Sequence, residues 1–308
     1  MRISVIIPSY NEERAIGECI SSLYAQTRKP DEVLVVDDST DSTPDLVRKL
    51  SKKHKGLRLI RGKRKGVSAA RNLGARQAKA DVILFLDADK RLEASALKEV
   101  EEFFSNESAK LAAFKATMPS PKTFIEKCYY VRLLHLERGQ PWSKELIVMP
   151  EAFRRSVFLE LGGFDESLHY FEDRELYNRV RAAGLKVQLL KSKIYHEEPA
   201  NLREFWKQAK WLGSSITSGT VLLRIRAIFY PLGPVYWFFF LLAVLVTPFY
   251  QPMIYAVYAF ALFAFFEFLR CMYMSKMILP SLGYIFLSFW RQVIVGYGLL
   301  RKLLSKLI

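Results

Sequence analysis

Asp87-Ala88-Asp89 follows the almost wholly apolar run Val82-Ile83-Leu84-Phe85-Leu86. Such a run has the composition of a buried central strand. On an extended segment alternate side chains share a side, so the spacing predicts that Asp87 and Asp89 share one hard cation through oxygen ligands. Two carboxylates at the end of a buried strand are costly unless something positive sits there. By itself an Asp-x-Asp is as readily a pair of solvated turn carboxylates; its weight comes from its company. Pro8-Ser9-Tyr10-Asn11-Glu12 leaves another apolar run, Ile3–Ile7, and Asp37-Asp38-Ser39-Thr40-Asp41-Ser42-Thr43 leaves a third, Val33–Val36. Farther on, Glu172-Asp173 heads a stretch in which Leu176, Val180 and Ala183 recur at helical spacing. An acidic pair there is either a dipole-favoured helix start or a carboxylate able to take a proton. His196, after Ile194-Tyr195, is a structural loop histidine or a ligand for a metal or an anion. The basic run Arg61-Gly62-Lys63-Arg64-Lys65 is a solvated or membrane-facing patch, from which Lys65 alone is assigned to an anion site.

The elements that must position these residues alternate. Strand-like runs at Ile3–Ile7, Val33–Val36, Leu57–Ile60, Val82–Leu86, Ile147–Met149 and Val187–Leu190 are separated by helical patterns. Among those patterns, Thr43-Pro44-Asp45 reads as an N-cap followed by a first-turn proline, and Ser68–Ala78 is rich in helix formers with Gly74 inside it. The alternation predicts an α/β domain with a mostly parallel sheet. In such a sheet ligands bind beyond the carboxyl ends of the strands, where the acidic clusters fall.

The remainder is physically different. Ala227–Phe266 contains no charged residue, and Glu267 is the only acid after Glu204. A helix rises about 1.5 Å per residue and a bilayer's hydrocarbon core is about 30 Å thick, so this run is long enough to cross roughly twice. Pro248 and Pro252 mark a turn between spans near 229–247 and 253–270. Cations flank both spans while the turn has none, which predicts a multi-pass cell-membrane protein with both flanks and the globular domain in the cytoplasm. A third apolar stretch, about 279–300, contains Arg291 and reads as an interfacial helix or a third span. Before it, Leu202, Phe205, Trp206 and Ala209 share one side of an amphipathic helix at the membrane surface. The predicted organisation is a catalytic domain over 1–200, an interfacial helix region over 201–226 and a membrane domain over 227–308. Three scattered cysteines, Cys19, Cys128 and Cys271, have no metal-knuckle spacing and predict a reducing compartment. The start of the chain reads as a strand, since the apolar run Ile3–Ile7 is too short for a signal peptide.

Six ordered motifs over the first 215 residues resemble the family 2 glycosyltransferases of the GT-A fold. They are Val5–Glu12, Val35–Thr43, Gly66–Gly74, Phe85–Asp89, Gly162-Gly163-Phe164-Asp165-Glu166 and Phe171–Leu176. The resemblance implies a nucleotide-diphosphate sugar donor, Mg²⁺ or Mn²⁺, and inversion at the anomeric carbon. It implies that Pro8, Tyr10, Glu12 and Asp38 surround the base and ribose, that Arg71 and Asp87 lie near the ribose and diphosphate, and that Asp89 binds the metal. By the same resemblance Asp173 is the catalytic base, with Glu172 beside it, and His196 joins Asp89 and Asp87 as a metal candidate.

Two departures bear on substrate. Asp-Asp-Ser-Thr stands where many relatives have Asp-Asp-Gly-Ser, and Gln208-Ala209-Lys210-Trp211 keeps only the outline of the Gln-x-x-Arg-Trp element of processive synthases. Transfer of a single sugar is therefore expected, and because the Gly162–Glu166 segment and the Glu172-Asp173 pair resemble hydroxyl-acceptor enzymes, the acceptor is expected to be a hydroxyl of a lipid-linked sugar or glycolipid. A polyprenyl-phosphate acceptor is the alternative, and a non-catalytic membrane-anchored sugar-nucleotide-binding or scaffold protein a further one. The net charge of +15 divides into +6 on residues 226–308, where seven cations face Glu267, and +9 on residues 1–225. The first share suits anionic membrane lipids and the second a diphosphate; no motif for nucleic acid accompanies either.

Overall fold

The computed structural model describes residues 1–138, 150–168, 171–215, 244 and 253–304. Among them, eight strands form one sheet: β1 (Ile3–Ser9), β2 (Glu32–Asp37), β3 (Leu57–Arg61), β4 (Val82–Phe85), β5 (Lys90–Leu92), β6 (Leu111–Thr117), β7 (Ala152–Arg154) and β8 (Gln188–His196). Their order is β3-β2-β1-β4-β7-β6-β8-β5. The helices in chain order are α1 (Ile16–Tyr24), α2 (Thr43–Ser51), α3 (Val67–Gln77), α4 (Ala96–Phe104), α5 (Phe124–Arg138), α6 (Arg155–Glu160), α7 (Glu172–Ala182), α8 (Leu202–Ser215), α9 (Met253–Ser275) and α10 (Ile278–Leu304).

The β-branched runs of the first 90 residues form β1 to β4, all parallel. The other half is mixed where a mostly parallel sheet was expected: β7 is antiparallel to β4 and β6, β5 is antiparallel to β8, and β6 and β8 are parallel. Strands β5, β6 and β7 have no strong sequence signal. Two are three residues long, too short to show a period, and β6 is the alanine-rich Leu-Ala-Ala-Phe-Lys-Ala-Thr. The expected strand Ile147–Met149 lies outside the described residues.

Every residue of β1 and β4 is buried, because the sheet is covered on both faces. Val5, Ile7, Val33 and Val35 pack with Ile16, Ile20, Leu97 and Val100 on one face. The alternate residues Ile6, Leu34, Val36 and Ile83 pack with Ala75, Phe158, Leu176 and Val180 on the other. Helix α3 lies very close to the sheet: a Cβ at Gly74 would stand 2.4 Å from Ile6 Cγ2 and 3.3 Å from Val36 Cγ2. Helix α2 has Pro44 in its first turn, with Ser42 rather than Thr43 at the cap position. Asp41 Oδ1 accepts hydrogen bonds from Thr43 N and Oγ1 at 3.0 and 2.6 Å.

The chain divides into two units. One comprises Met1–Pro119 and Ile147–Glu197; the other comprises Ser120–Leu146 and Glu198–Ile308. The second unit therefore takes in α5, which lies within the stretch assigned to the catalytic domain from sequence.

Within the second unit, α5 and α8 pack on α10, and α9 packs on α5 and α10. Phe205 and Ala209 of α8 are buried, whereas Leu202 and Trp206 of the expected apolar side are exposed. Tyr129 Oη on α5 donates to Gln208 Oε1 on α8 at 2.6 Å. Helix α10 covers the third apolar stretch and buries Ser281, Tyr284, Ile285, Leu287 and Ile294. Among the described residues one helix, Ile254–Ser275, is long and apolar enough to cross a membrane, and it leaves Tyr255, Tyr258, Leu262, Phe265 and Phe266 exposed. The expected span near 229–247 lies outside the described residues apart from residue 244.

Candidate functional site

The exits of β1 and β2 are stitched together. Asp38 N donates to Ser9 O at 2.9 Å and Asn11 N to Ser39 Oγ at 2.7 Å; Asn11 Oδ1 accepts from Thr40 N at 2.9 Å. Asn11 has φ +59°, a left-handed conformation that asparagine tolerates better than most residues. Pro8 is buried beside β2, Glu12 is partly buried with its N–H donating to Thr43 Oγ1 at 3.0 Å, and Tyr10 projects into solvent. Asp37 is fully buried and paired with Arg61. Asp38 Oδ1 accepts from Arg64 N at 2.9 Å, which ties the basic loop to this rim. Lys65 on the same loop is exposed and forms no ion pair among the described residues.

Helix α3 is the hub of the site. Arg71 Nη2 donates to Asp87 Oδ1 at 2.7 Å and its Nη1 to Glu172 Oε1 at 2.9 Å, so one guanidinium joins the exit of β4 to the start of α7. It lies over the Phe164 ring, 5.1 Å from the centroid, and its buried Nε has no partner. At the next residue, Asn72 Nδ2 donates to Phe164 O and Glu166 Oε1 at 2.8 and 3.0 Å, while Asn72 Oδ1 accepts from Phe164 N at 2.9 Å. Gly163 has φ +72°, and a Cβ there would meet Asn72 Oδ1 at 2.6 Å, so both backbone conformation and space require glycine. Ser68 Oγ donates to Leu168 O at 3.1 Å. Three α3 side chains thus hold the Gly162–Glu166 motif and the approach to Glu172.

Asp87 and Asp89, expected to share one cation, are engaged by different partners. The strand ends at Phe85, and Lys90 N donates to Asp87 O at 3.0 Å, closing a turn in which the alternation of an extended strand no longer applies. Asp87 instead faces two cations, Arg71 and Lys90, the latter with Nζ 2.7 Å from Oδ2. Burial alone would raise the Asp87 carboxyl, but Lys90 and Arg71 reverse this and hold it well below the usual carboxylate range. The same pairing raises both cations against the lowering effect of burial. Asp89 has its Oδ2 3.1 Å from His196 Nε2. The β5–β8 pairing makes this contact possible by setting Lys90 directly opposite His196.

Glu172 and Asp173 both fall in the first turn of α7, after Phe171 in a left-handed conformation at φ +66°. Glu172 is committed to Arg71. Asp173 is exposed, accepts from Arg174 N at 2.7 Å, and forms no ion pair among the described residues.

Two residues of the site have no distinct sequence signal. Lys90 directly follows the Asp-x-Asp, yet nothing in its spacing marks it as a partner of Asp87. Glu151 precedes a three-residue strand; its Oε2 accepts from Phe114 N at 3.0 Å. Burial pushes its carboxyl up, Lys90 and the Phe114 N–H oppose this, Asp87 adds to it, and the result is about 7.

For a divalent cation the donor set is a partial fit. Asp89 and His196 supply an oxygen and a nitrogen of the kind Mg²⁺ or Mn²⁺ accepts when phosphate oxygens complete the shell, whereas Asp87 has given both oxygens to cations. Among the described residues no group of three His, Cys, Asp or Glu side chains is assembled around a metal position. The site suits an ion arriving with its own oxygen ligands and lacks an all-protein cage.

Two family models match the chain. "Glycosyl transferase family 2" covers residues 4–147 and "Glycosyl transferase family group 2" covers residues 82–270. Similar proteins include the probable glycosyltransferase YdaM of Bacillus subtilis, 28% identical over 68% of this chain and 54% of that one. The putative glycosyltransferase EpsH of the same organism is 28% identical over 63% of this chain and 60% of its own. An uncharacterized glycosyltransferase of Rickettsia conorii is 44% identical over 63% of this chain and 33% of its own. The chain thus spans little more than half the length of the first two. Among solved structures, S. aureus TarS 1–349 superposes with a TM-score of 0.51 at 18% identity, covering 94% of this chain and 90% of that one, a likeness of fold.

Proposed function

The chain belongs to glycosyltransferase family 2, and from that premise we propose that it transfers a single sugar, with inversion, from a UDP- or GDP-linked donor to a hydroxyl of a lipid-linked sugar or glycolipid. The observation that carries this reading is the division of labour at the start of α7. Arg71 fixes Glu172 against the donor side of the site, while Asp173, the next residue, is left exposed and without an ion pair among the described residues.

In this mechanism Asp173 accepts the proton of the acceptor hydroxyl as its oxygen attacks the anomeric carbon. The bond to the acceptor oxygen forms as the bond to the diphosphate oxygen breaks, which inverts the centre. Pro8, Tyr10, Glu12 and Asp38 hold the nucleoside, with the exposed Tyr10 ring free to cover it, and Lys65 is near enough in sequence to the α3 N-terminus to approach the phosphates. Arg71, held by its two carboxylate contacts, lies near the ribose and diphosphate. Asp89 and His196 would hold Mg²⁺ or Mn²⁺, which when bound offsets the charge of the departing diphosphate.

A membrane site of action is supported by the Ile254–Ser275 helix and by the cations around the apolar stretch, which favour the cytoplasmic face of the cell membrane for the catalytic domain. We assign the catalytic domain to residues 1–200, with 201–226 and 227–308 as interfacial and membrane regions. Asp173→Asn tests the mechanism. Turnover falls by about 10²–10⁴-fold while calorimetric affinity for the donor is unchanged; near-normal turnover with donor bound sinks the general-base role and favours a phosphate acceptor.

A further inference from the structure

Lys90 sits among carboxylates. Its ammonium is 2.7 Å from Asp87 Oδ2, and the nearby carboxylates of Asp89 and Glu151 add their attraction. Arg71 takes the other Asp87 oxygen. The position is enforced by the backbone: the Asp87–Lys90 turn and the pairing of Lys90 with His196 put this cation beside the Asp89–His196 pair. A lysine at a strand end with solvent available would not be drawn into a partly buried acidic cluster without an offsetting contact; here that contact is the Asp87 ion pair.

We infer that Lys90 is a tethered counter-cation of the donor site, which holds Asp87 away from a divalent ion and makes metal binding depend on the donor's phosphates. The inference rests on the reading of Asp89 and His196 as the metal's protein donors. With Lys90 in place, a divalent ion entering alone meets one carboxylate, one imidazole and an adjacent positive charge. A nucleotide diphosphate brings the oxygens that the protein withholds, so metal and donor are retained together. With Lys90 removed, one Asp87 oxygen is released and a repulsive charge is lost. Even screened as in bulk water, a unit charge a few ångströms from a divalent ion changes its affinity on the order of tenfold.

The test is Mn²⁺ binding to the full chain without nucleotide, followed by the electron paramagnetic resonance of the free ion. Lys90→Gln binds Mn²⁺ at least about tenfold more tightly than the wild type, Lys90→Arg binds like the wild type, and adding Asp89→Asn to Lys90→Gln abolishes the gain. Lys90→Met keeps the aliphatic stem and gives the same comparison if the glutamine variant does not fold. Equal or weaker Mn²⁺ binding by folded Lys90→Gln or Lys90→Met, with Asp89→Asn still weakening the wild-type protein, overturns the role of Lys90. If Asp89→Asn leaves Mn²⁺ binding unchanged, the metal assignment itself fails, and the inference falls with it.

Discussion

Glu151→Gln separates the electrostatics of the site from its packing. The Glu151 carboxyl, ordinarily near 4.5, is pushed up to about 7 by burial and by Asp87, against Lys90 and the Phe114 N–H. A group that holds its proton more tightly folded than unfolded contributes stability that is complete below the unfolded value. That stability is lost as the pH rises through the folded value. The window is therefore about pH 4.5 to 7, the slope about 1.4 kcal/mol per pH unit, and the total roughly 3 kcal/mol. Glutamine is neutral throughout and keeps an oxygen to accept the Phe114 N–H, so the variant matches the wild type near pH 4 and exceeds it by up to roughly 3 kcal/mol at pH 8. Urea titration of the full chain in detergent micelles, with the folded fraction read by pulse proteolysis, measures the difference at each pH. The carbonyl band of the protonated acid, present in the wild type at pH 6 and missing in the variant, identifies the group in the infrared. A wild-type-to-variant difference that stays constant from pH 5 to 8 refutes the argument.

The remaining expectations concern α3. Gly74→Ala drives a methyl against Ile6 and Val36, and overpacking of this kind costs about 1–3 kcal/mol; it is seen as a lowered melting temperature, with donor affinity falling because α3 carries Arg71. Arg71→Lys replaces a fork that holds two carboxylates by a point charge that holds one. If the lysine stays with Asp87, which Lys90 also holds, Glu172 loses its cation at a cost of about 3 kcal/mol, measurable by the same urea titration, and turnover falls by more than about a hundredfold because the link from β4 to α7 is broken.

The readable part of this chain is the part whose residues repeat a local rule. Val33–Val36 and Val82–Phe85 are apolar throughout because both sheet faces are covered, and such runs announce themselves. Pro44 and the helix formers around Ala69 and Ala70 did the same for α2 and α3. The antiparallel half of the sheet was hidden because β5 and β7 owe their existence to neighbours: three residues adopt a strand only where β8, β4 or β6 supplies the hydrogen bonds. Site residues were legible by type and illegible by orientation. Asp87 and Asp89 stand where expected, yet a single hydrogen bond from Lys90 N to Asp87 O bends the chain and gives each carboxylate a different partner. The roles of Lys90 and Glu151 depend on distances across the sheet that no linear pattern encodes.

The placement of α5 has a consequence for biosynthesis. Residues 120–146 interrupt the chain between adjacent strands β6 and β7, yet belong to the unit completed by residues 198–308. A ribosome delivers α5 well before α9 and α10, the helices on which it packs. During that interval the sheet can close around β7 while α5, with Cys128, Tyr129 and Val131 destined for burial, awaits its partners. Cutting the chain after the last strand to obtain a soluble enzyme would make this temporary exposure permanent. A soluble catalytic fragment therefore requires α5 to be excised or its apolar side replaced, as well as the loss of the C-terminal helices.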